Sequence, residues 1–153
     1  MFVLMNNKFK KIVVTSSLAL FMASSAFAAN YLSVTTDNAN VRTGPGTKYP
    51  VAMELFEGYP LKVMKKEGEW YKISDYENDS GWIHESIVKD QDTVVVNAKN
   101  SLNMRSGPSQ NSTIVADVER GVVLKKLSSE GQWTKVRHSS GTVGWIYSPL
   151  LWP

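Results

Sequence analysis

Few side chains in this 153-residue sequence are suited to catalysis. There is no cysteine, which excludes disulfides, thiol nucleophiles, thiolate zinc sites and iron–sulfur clusters. The two histidines, His84 and His138, form no histidine-based metal motif. Carboxylates such as Glu67 and Glu69 lie in a charged turn, where nothing indicates a catalytic acid or base. We therefore predict that the protein is not an enzyme and that it holds neither a metal nor a cofactor.

The residues suited to binding are aromatic. Trp70 is three residues before Ile73, and Trp133 is three residues before Val136. If Ile73 and Val136 belong to a core, strand alternation places both tryptophans on the opposite face. An indole there offers a flat apolar surface and one hydrogen-bond donor, which suits a peptide or a sugar ring. The alternative is that each tryptophan covers a small core as a lid.

Two arginines are the second group with binding chemistry. Arg42 precedes the turn at Gly44-Pro45, and Arg105 precedes the turn at Gly107-Pro108. In such turns proline fixes φ and glycine relaxes it. Each guanidinium can either clamp the carboxylate of a peptide or bond the backbone carbonyls of its own loop.

These residues occur twice because the sequence contains a repeat. Residues 31–90 align without a gap on residues 94–153, with 14 identities in 60 positions. Glycine, proline, tryptophan and arginine dominate the identities, which indicates a duplicated unit. We assign to the structural motif Arg42, Gly44, Pro45, Gly81, Trp82 and Ile83 in the first unit and Arg105, Gly107, Pro108, Gly144, Trp145 and Ile146 in the second.

Short strands must position these side chains. In the first unit, β-prone runs cover residues 31–36, 51–55, 59–65, 70–75 and 80–84, separated by turn-forming segments. No capped amphipathic run after residue 28 predicts a helix. Several strands in about sixty residues close most economically as a small twisted barrel. The sequence thus predicts an all-β fold of two tandem barrels, with Ile83 and Ile146 in their cores.

The first 28 residues are predicted to be a signal peptide. A lysine-containing segment precedes the apolar residues 12–23, and Ala26-Phe27-Ala28 supplies the small residues that signal peptidase requires. A retained anchor is the alternative. We expect residues 1–28 to be the signal peptide, 29–90 the first domain and 91–153 the second. The protein should then be periplasmic or secreted, with no stable membrane insertion after cleavage.

Charge is unevenly divided between the two units. After residue 28 there are 14 basic and 14 acidic side chains, so no basic surface for nucleic acid is expected. Residues 29–92 carry a net charge of −4 and residues 93–153 a net charge of +4. Opposite charges on neighbours joined by the short segment 89–93 favour a packed pair or head-to-tail self-association. The alternative is that both sets of charges are simply solvated.

The order of the repeated motifs resembles that of a known family. Asn-Val-Arg-x-Gly-Pro at 40–45, then Gly-x-Trp at 68–70 and Gly-Trp-Ile at 81–83, is similar to the bacterial SH3 (SH3b) domain. The resemblance covers nearly all of the chain after residue 28, twice, and implies an SH3-like barrel of five to seven strands per unit. Members of that family are extracytoplasmic binding modules, often attached to cell-wall hydrolases, and several bind peptidoglycan peptides. No hydrolase domain is expected in this chain.

Residues 81–88 also resemble the Gly-x-Ile-Pro-Ser-Asn-Tyr-Val ending of eukaryotic SH3 domains. The proline and tyrosine of that ending line a groove for polyproline peptides. Here His84 and Ile87 stand in their places, and Tyr147 and Leu150 do so in the second unit. Binding of PxxP peptides is therefore not expected.

Aromatic residues are more frequent in the first unit. Tyr49, Tyr71 and Tyr76 align with serine or threonine, and Tyr59 is expected to be a core residue. The candidate ligand-binding residues are Trp70, Trp133, Tyr49, Tyr71, Tyr76, His84 and Tyr147. We favour an extracytoplasmic module that binds a peptide, peptidoglycan or an envelope partner protein. The alternative is a structural or adaptor subunit of an envelope complex with no wall ligand.

Overall fold

The structure, a computed structural model, describes residues 30–153 and is all-β, as predicted. It contains two seven-stranded antiparallel sheets, each of which forms a small barrel. Within this range no helix has the length and apolarity needed to cross a membrane. The predicted signal peptide at residues 1–28 lies outside the described residues.

The first barrel is formed by seven strands in the spatial order β3-β2-β6-β5-β4-β1-β7. A one-turn 3₁₀ helix at Glu85–Ile87 separates the last two strands in the chain. The strands are β1 (Tyr31–Val34), β2 (Ala39–Arg42), β3 (Val51–Leu55), β4 (Pro60–Glu67), β5 (Trp70–Ser74), β6 (Ser80–His84) and β7 (Val88–Asp90).

The second barrel repeats this arrangement in the order β10-β9-β13-β12-β11-β8-β14. Its 3₁₀ helix is at Ser148–Leu150. The strands are β8 (Thr93–Val96), β9 (Ser101–Arg105), β10 (Ile114–Glu119), β11 (Val123–Glu130), β12 (Trp133–Arg137), β13 (Val143–Tyr147) and β14 (Leu151–Trp152).

Two strands of the first barrel are absent from the sequence prediction. The five β-prone runs correspond to β1 and β3–β6, whereas β2 and β7 were missed. Strand β2 has four residues and buries only Ala39 and Val41, so its apolar signal is short. Strand β7 takes in part of the predicted linker, and β8 begins at Thr93, so only Gln91-Asp92 joins the sheets.

The ungapped alignment of the repeats is wrong in the first strand. The carbonyl of Tyr59 accepts a hydrogen bond from Val34 at 3.0 Å, and the carbonyl of Val122 accepts one from Val96 at 2.9 Å. Val34 therefore corresponds to Val96, a shift of 62, and both are fully buried. From β2 and β9 onward the register is shifted by 63. The second barrel thus has one more residue between this valine and the next strand's first buried residue, which is Ala39 in the first barrel and Leu102 in the second.

Each barrel has its own hydrophobic core. Ile73 and Ile83 in the first barrel and Val136 and Ile146 in the second are fully buried. These four positions are core as predicted, because alternation along two paired strands directs them to the same face.

Buried hydroxyl groups join the two barrels. The Thr93 hydroxyl lies 2.7 Å from the Ser33 hydroxyl and donates to the Gly58 carbonyl at 2.5 Å. The backbone N–H of Asp92 also donates to the Ser33 hydroxyl, at 3.2 Å. Ser33 is fully buried and Thr93 is 7% exposed. A β-strand hydroxyl from each barrel thus fixes the junction where water is excluded.

Charged groups at the junction agree with the packed pair that the charge asymmetry favoured. The carboxylate of Asp92 bonds Lys89 at 2.8 Å and Lys125 of the second barrel. The Arg120 guanidinium lies 5.2 Å from the centre of the Tyr76 ring and 4.0 Å from the Glu77 carboxylate. An acidic first barrel therefore contacts a basic second barrel through specific pairs.

Candidate functional site

Two of the predicted binding residues form one aromatic pair in the first barrel. Trp70 begins β5, His84 ends β6, and the two are directly opposite each other in the antiparallel register. Their ring centroids are 5.1 Å apart with an interplanar angle of 81°, an edge-to-face arrangement. Both side chains are partly exposed, so the pair presents a surface at the end of the barrel.

Hydrogen bonds fix the orientation of the His84 ring. Its Nδ1 accepts from the backbone N–H of Ser86 at 3.2 Å, which caps the 3₁₀ helix. The neutral imidazole must therefore carry its proton on Nε2. That atom lies 3.6 Å from the carboxylate of Glu69, which is 75% exposed. His84 thus offers a directed N–H donor next to the indole.

The 3₁₀ helix is held from outside by an ion pair. The Lys66 ammonium donates to the Glu85 carboxylate at 2.5 Å. This hydrogen bond raises the pKa of Lys66, so the ammonium remains charged at neutral pH. The pair ties β4 to the segment that carries His84 and Ile87.

Beside the aromatic pair lies a cleft of about 530 Å³. Trp70, His84 and Ile87 form one part of its lining, and Arg42 and Thr47 contribute from β2 and the loop that follows it. The remaining lining residues are Thr36, Asp37, Asn38, Ala39 and Asn40. The cleft therefore combines an aromatic surface with carboxylate, amide, hydroxyl and guanidinium groups, which suits a short polar peptide or a sugar.

Arg42 is fixed by its own loop. Its guanidinium donates to the carbonyl oxygens of Tyr49 at 2.8 Å and of Thr47 at 3.2 Å. In the second barrel Arg105 donates to the carbonyl of Ser112 at 2.9 Å. Of the two alternatives, the structure thus has each arginine bonded to the backbone carbonyls of its own loop. The N–H groups in these bonds are then not free to bind the carboxylate of a peptide.

The second barrel has a corresponding aromatic pair. Trp133 and Tyr147 are opposite each other in β12 and β13, with ring centroids 5.8 Å apart. The Tyr147 hydroxyl points toward the Gln132 amide oxygen at 3.4 Å. Tyrosine thus replaces histidine in the pair of the second barrel.

Three predicted ligand contacts lie away from the cleft. The Tyr49 ring packs against Gly44, where an added Cβ would be 2.5 Å from it. Tyr71 packs against the first core. Tyr76 faces the second barrel, where its hydroxyl would be 3.0 Å from a Cβ placed on Gly121. None of these three rings lines the cleft. Each packs instead against another part of the protein.

Three of the cleft residues that sequence reasoning missed, Thr36, Asp37 and Asn38, are in the loop after β1. Asp37 accepts from the backbone N–H of Glu57 at 3.0 Å, and Asn38 adopts a φ of 53°. Such a turn is typical of adjacent Asp and Asn residues, and this dipeptide was the available signal. Among the described residues no group of His, Asp or Glu side chains is arranged to hold a metal ion.

The arrangement of motifs and strands agrees with a comparison against protein families. The family model described as Bacterial SH3 domain matches residues 35–90 and 98–153. The chain belongs to the bacterial SH3 domain family. The resemblance seen in the sequence is thereby confirmed for both units.

Curated relatives of this bacterial SH3 protein are longer than it is. A Bacillus subtilis protein named as the N-acetylmuramoyl-L-alanine amidase YrvJ is 27% identical over 161 residues, 96% of this chain and 31% of that protein. A Staphylococcus aureus protein named as the cell wall amidase LytH is 36% identical over 90 residues, 56% of this chain and 28% of that protein. The chain thus spans about a third of the length of these relatives.

The solved structures that the chain is similar to include an NlpC/P60 family protein from Bacillus cereus. It is 15% identical, covers 79% of this chain and 55% of its own, and has a TM-score of 0.38. NlpC2 from Trichomonas vaginalis is 17% identical, with 82% of this chain and 48% of that chain covered and a TM-score of 0.35.

These relatives correct one sequence-based prediction. The prediction that the protein is not an enzyme is wrong, because the curated relatives of this bacterial SH3 protein are named as amidases. The absence of familiar catalytic motifs from the sequence was too weak a basis for it. Family membership and the names of the relatives also indicate an extracytoplasmic location.

Proposed function

We propose that the protein binds peptidoglycan and that the cleft beside Trp70 and His84 is its principal site. The observation that carries this proposal is the aromatic pair itself. Its flat indole and the directed Nε2–H of His84 adjoin a cleft of about 530 Å³ at the end of a rigid barrel.

The chemistry of the cleft supports a wall ligand. Trp70 and Ile87 supply apolar surface for a sugar ring or an alanine methyl group. The His84 N–H suits a carboxylate or amide oxygen, and Asp37 suits the amine or amide N–H of a stem peptide. One relative is named for an N-acetylmuramoyl-L-alanine bond, which joins a sugar to an alanine, and another is named for the cell wall. On this proposal the cleft holds a segment of the wall that includes the stem peptide.

Co-sedimentation of the purified protein with protein-free peptidoglycan sacculi tests this function. Trp70→Ala should lower the affinity for sacculi about thirty-fold, which is the change in dissociation constant expected when a tryptophan contributes about 2 kcal/mol to binding. Trp133→Ala removes the equivalent indole of the second barrel and is the matched control, with at most a small effect. Near-UV circular dichroism checks that both variants fold.

His84→Tyr refines the test. It converts the first pair into the Trp-Tyr pair that the second barrel already contains, so the fold should tolerate it. The variant keeps the aromatic surface but replaces the Nε2–H donor with a phenol hydroxyl at a different position, and we expect an intermediate loss of binding. Equal losses in Trp70→Ala and Trp133→Ala would contradict the choice of site. A wild-type protein that stays in the supernatant would contradict wall binding and favour an adaptor in an envelope complex.

A further inference from the structure

A second cleft, of about 320 Å³, opens in the second barrel. It shares no residue with the Trp133–Tyr147 pair. Met104, Ala116 and Val122 give it an apolar floor, and Glu119, His138 and Ser140 give it a polar rim.

The corresponding place in the first barrel is filled by a tyrosine. Tyr59 packs against the first core and meets the Phe56 ring edge-on, with centroids 5.3 Å apart. Its hydroxyl donates to the Asp75 carboxylate at 3.0 Å. Burial raises the pKa of Tyr59, and the neighbouring Asp75 raises it further, so the hydroxyl keeps its proton. The first barrel thus shows how a phenol ring occupies this position.

The backbones of the two barrels correspond closely here. The N–H of Tyr59 donates to the Phe56 carbonyl at 3.2 Å, and that of Val122 donates to the Glu119 carbonyl at 3.3 Å. The cleft therefore results from smaller or polar side chains on an equivalent backbone. Met53, Phe56, Tyr59 and Tyr76 of the first barrel are replaced by Ala116, Glu119, Val122 and Ser139.

One replacement acts in the opposite direction. Met104 stands where the first barrel has Val41, and it is fully buried. It takes up part of the freed volume, yet it also lines the cleft that remains. Methionine is flexible and polarizable and makes favourable contacts with aromatic rings. The floor is thus suited to a ring.

His138 occupies the place of the acceptor that holds Tyr59. Asp75 accepts from the N–H of Glu77 at 3.0 Å, and the Nδ1 of His138 accepts from the N–H of Ser140 at 3.1 Å. The neutral His138 ring therefore carries its proton on Nε2. Within residues 30–153 this nitrogen has no hydrogen-bond partner. In the first barrel Asp75 accepts a hydrogen bond from the Tyr59 hydroxyl. At the same position Nε2 of His138 is a donor, so it suits a ligand oxygen that accepts a hydrogen bond.

The cleft lies on a face that makes a protein contact in the first barrel. The turn that follows β5 carries Tyr76 and Glu77, and both contact Arg120 of the second barrel. The first barrel uses the turn after β5 for this contact, whereas the second barrel uses the turn after β10. The turn after β12, which is the second barrel's equivalent of the turn after β5, therefore remains open to a further protein. That turn contains Ser139 and Ser140, next to His138. No element of the described chain covers it.

We propose that the cleft is a docking pocket for a tyrosine side chain of a partner protein. The phenol ring packs on Val122 and Met104, as Tyr59 packs in the first barrel, and the phenol oxygen accepts from Nε2 of His138. The pocket is separate from the wall-binding cleft of the first barrel, so it does not depend on the function proposed for that cleft.

Titration with N-acetyl-L-tyrosinamide, followed by methyl NMR, tests the proposal. The methyl signals of Met104, Ala116 and Val122 should shift together. N-acetyl-L-phenylalaninamide, which lacks the hydroxyl, should bind about five-fold more weakly, the usual effect of one hydrogen bond. His138→Ala should abolish the preference for the tyrosine probe over the phenylalanine probe, because both then lack the Nε2–H donor.

The double variant Val122→Tyr/His138→Asp is the decisive control. It installs the tyrosine and carboxylate that the first barrel already holds, so it should fold, and it should weaken binding of the probe at least about ten-fold. No shift of the three methyl signals, or equal shifts in this variant, would overturn the proposal. Loss of a wild-type self-association in the variant, measured by sedimentation equilibrium, would identify a second copy as the occupant and overturn the partner assignment. Sacculus binding by the double variant should equal that of the wild type, because neither Val122 nor His138 lines the cleft beside Trp70.

Discussion

Removing the hydroxyl of Thr93 should weaken the junction between the barrels. Thr93→Val preserves the shape of the side chain but removes its hydrogen bonds to the Ser33 hydroxyl and the Gly58 carbonyl. Leaving a buried polar group without a partner costs about 1–3 kcal/mol. Because Thr93 donates its single proton to Gly58, Ser33 donates to Thr93, so the variant leaves both the Gly58 carbonyl and the Ser33 hydroxyl proton without a partner. Ser33 still accepts from Asp92, and we expect a total loss of about 2 kcal/mol. For a chain of this size that lowers Tm by about 4–10 °C.

Urea denaturation and calorimetry measure both the size of the effect and its location. Thr134→Val is the matched control, since its hydroxyl bonds Ser148 at 2.8 Å inside the second barrel and the residue is 5% exposed. Both variants should lose stability. Only Thr93→Val should separate the unfolding of the barrels into two transitions, because only it weakens contact between them. An unchanged midpoint for Thr93→Val, or a split transition in Thr134→Val, would refute the reasoning.

Three further changes test other contacts. An added Cβ at Gly44 would lie 2.5 Å from the Tyr49 ring, so Gly44→Ala should cost about 1–3 kcal/mol in urea unfolding, and Gly46→Ala, 3.6 Å from that ring, should cost less. Ile83→Ala, at a fully buried position, should cost about 2–5 kcal/mol by the same measurement. Burial opposes ionisation of Asp92, but hydrogen bonds and charges from two lysines outweigh it and lower its pKa from 3.8. Its contribution to stability is therefore present above pH 3.8 and lost as the pH falls through the lower folded-state pKa, and Asp92→Asn should flatten that acid limb of the stability profile.

The sequence was sufficient for the parts of the fold that depend on alternation. Ile73 and Ile83 are core because both lie on the inner face of paired strands, and the repeat places Val136 and Ile146 in the same positions. The same alternation brings Trp70 to the outer face. Periodicity of two thus predicts which side of a strand a residue occupies, wherever one side is buried.

Contacts between a ring and its particular neighbour could not be read in this way. Tyr49, Tyr71 and Tyr76 each pack against a different neighbour. These neighbours are a glycine in the same loop, the first core and the guanidinium of Arg120, respectively. The composition of the sequence indicates that aromatic side chains will be packed, but it does not identify the residue against which each one packs. The loop residue that offsets the repeats was hidden for a similar reason, because glycine and tryptophan identities determine the alignment only from β2 onward.

The divergence of the two barrels has a consequence for binding. A junction of buried hydroxyls holds them in one arrangement, while the Trp70 cleft is on one barrel and the Val122 cleft is on the other. Two sites on a rigid pair bind two linked ligands with a high effective concentration, but only when the spacing of the ligands fits. If the wall occupies the first cleft and a tyrosine of a partner the second, the pair fixes that partner at a set distance from the wall. Thr93→Val should then weaken simultaneous binding of sacculi and partner more than binding of either ligand alone.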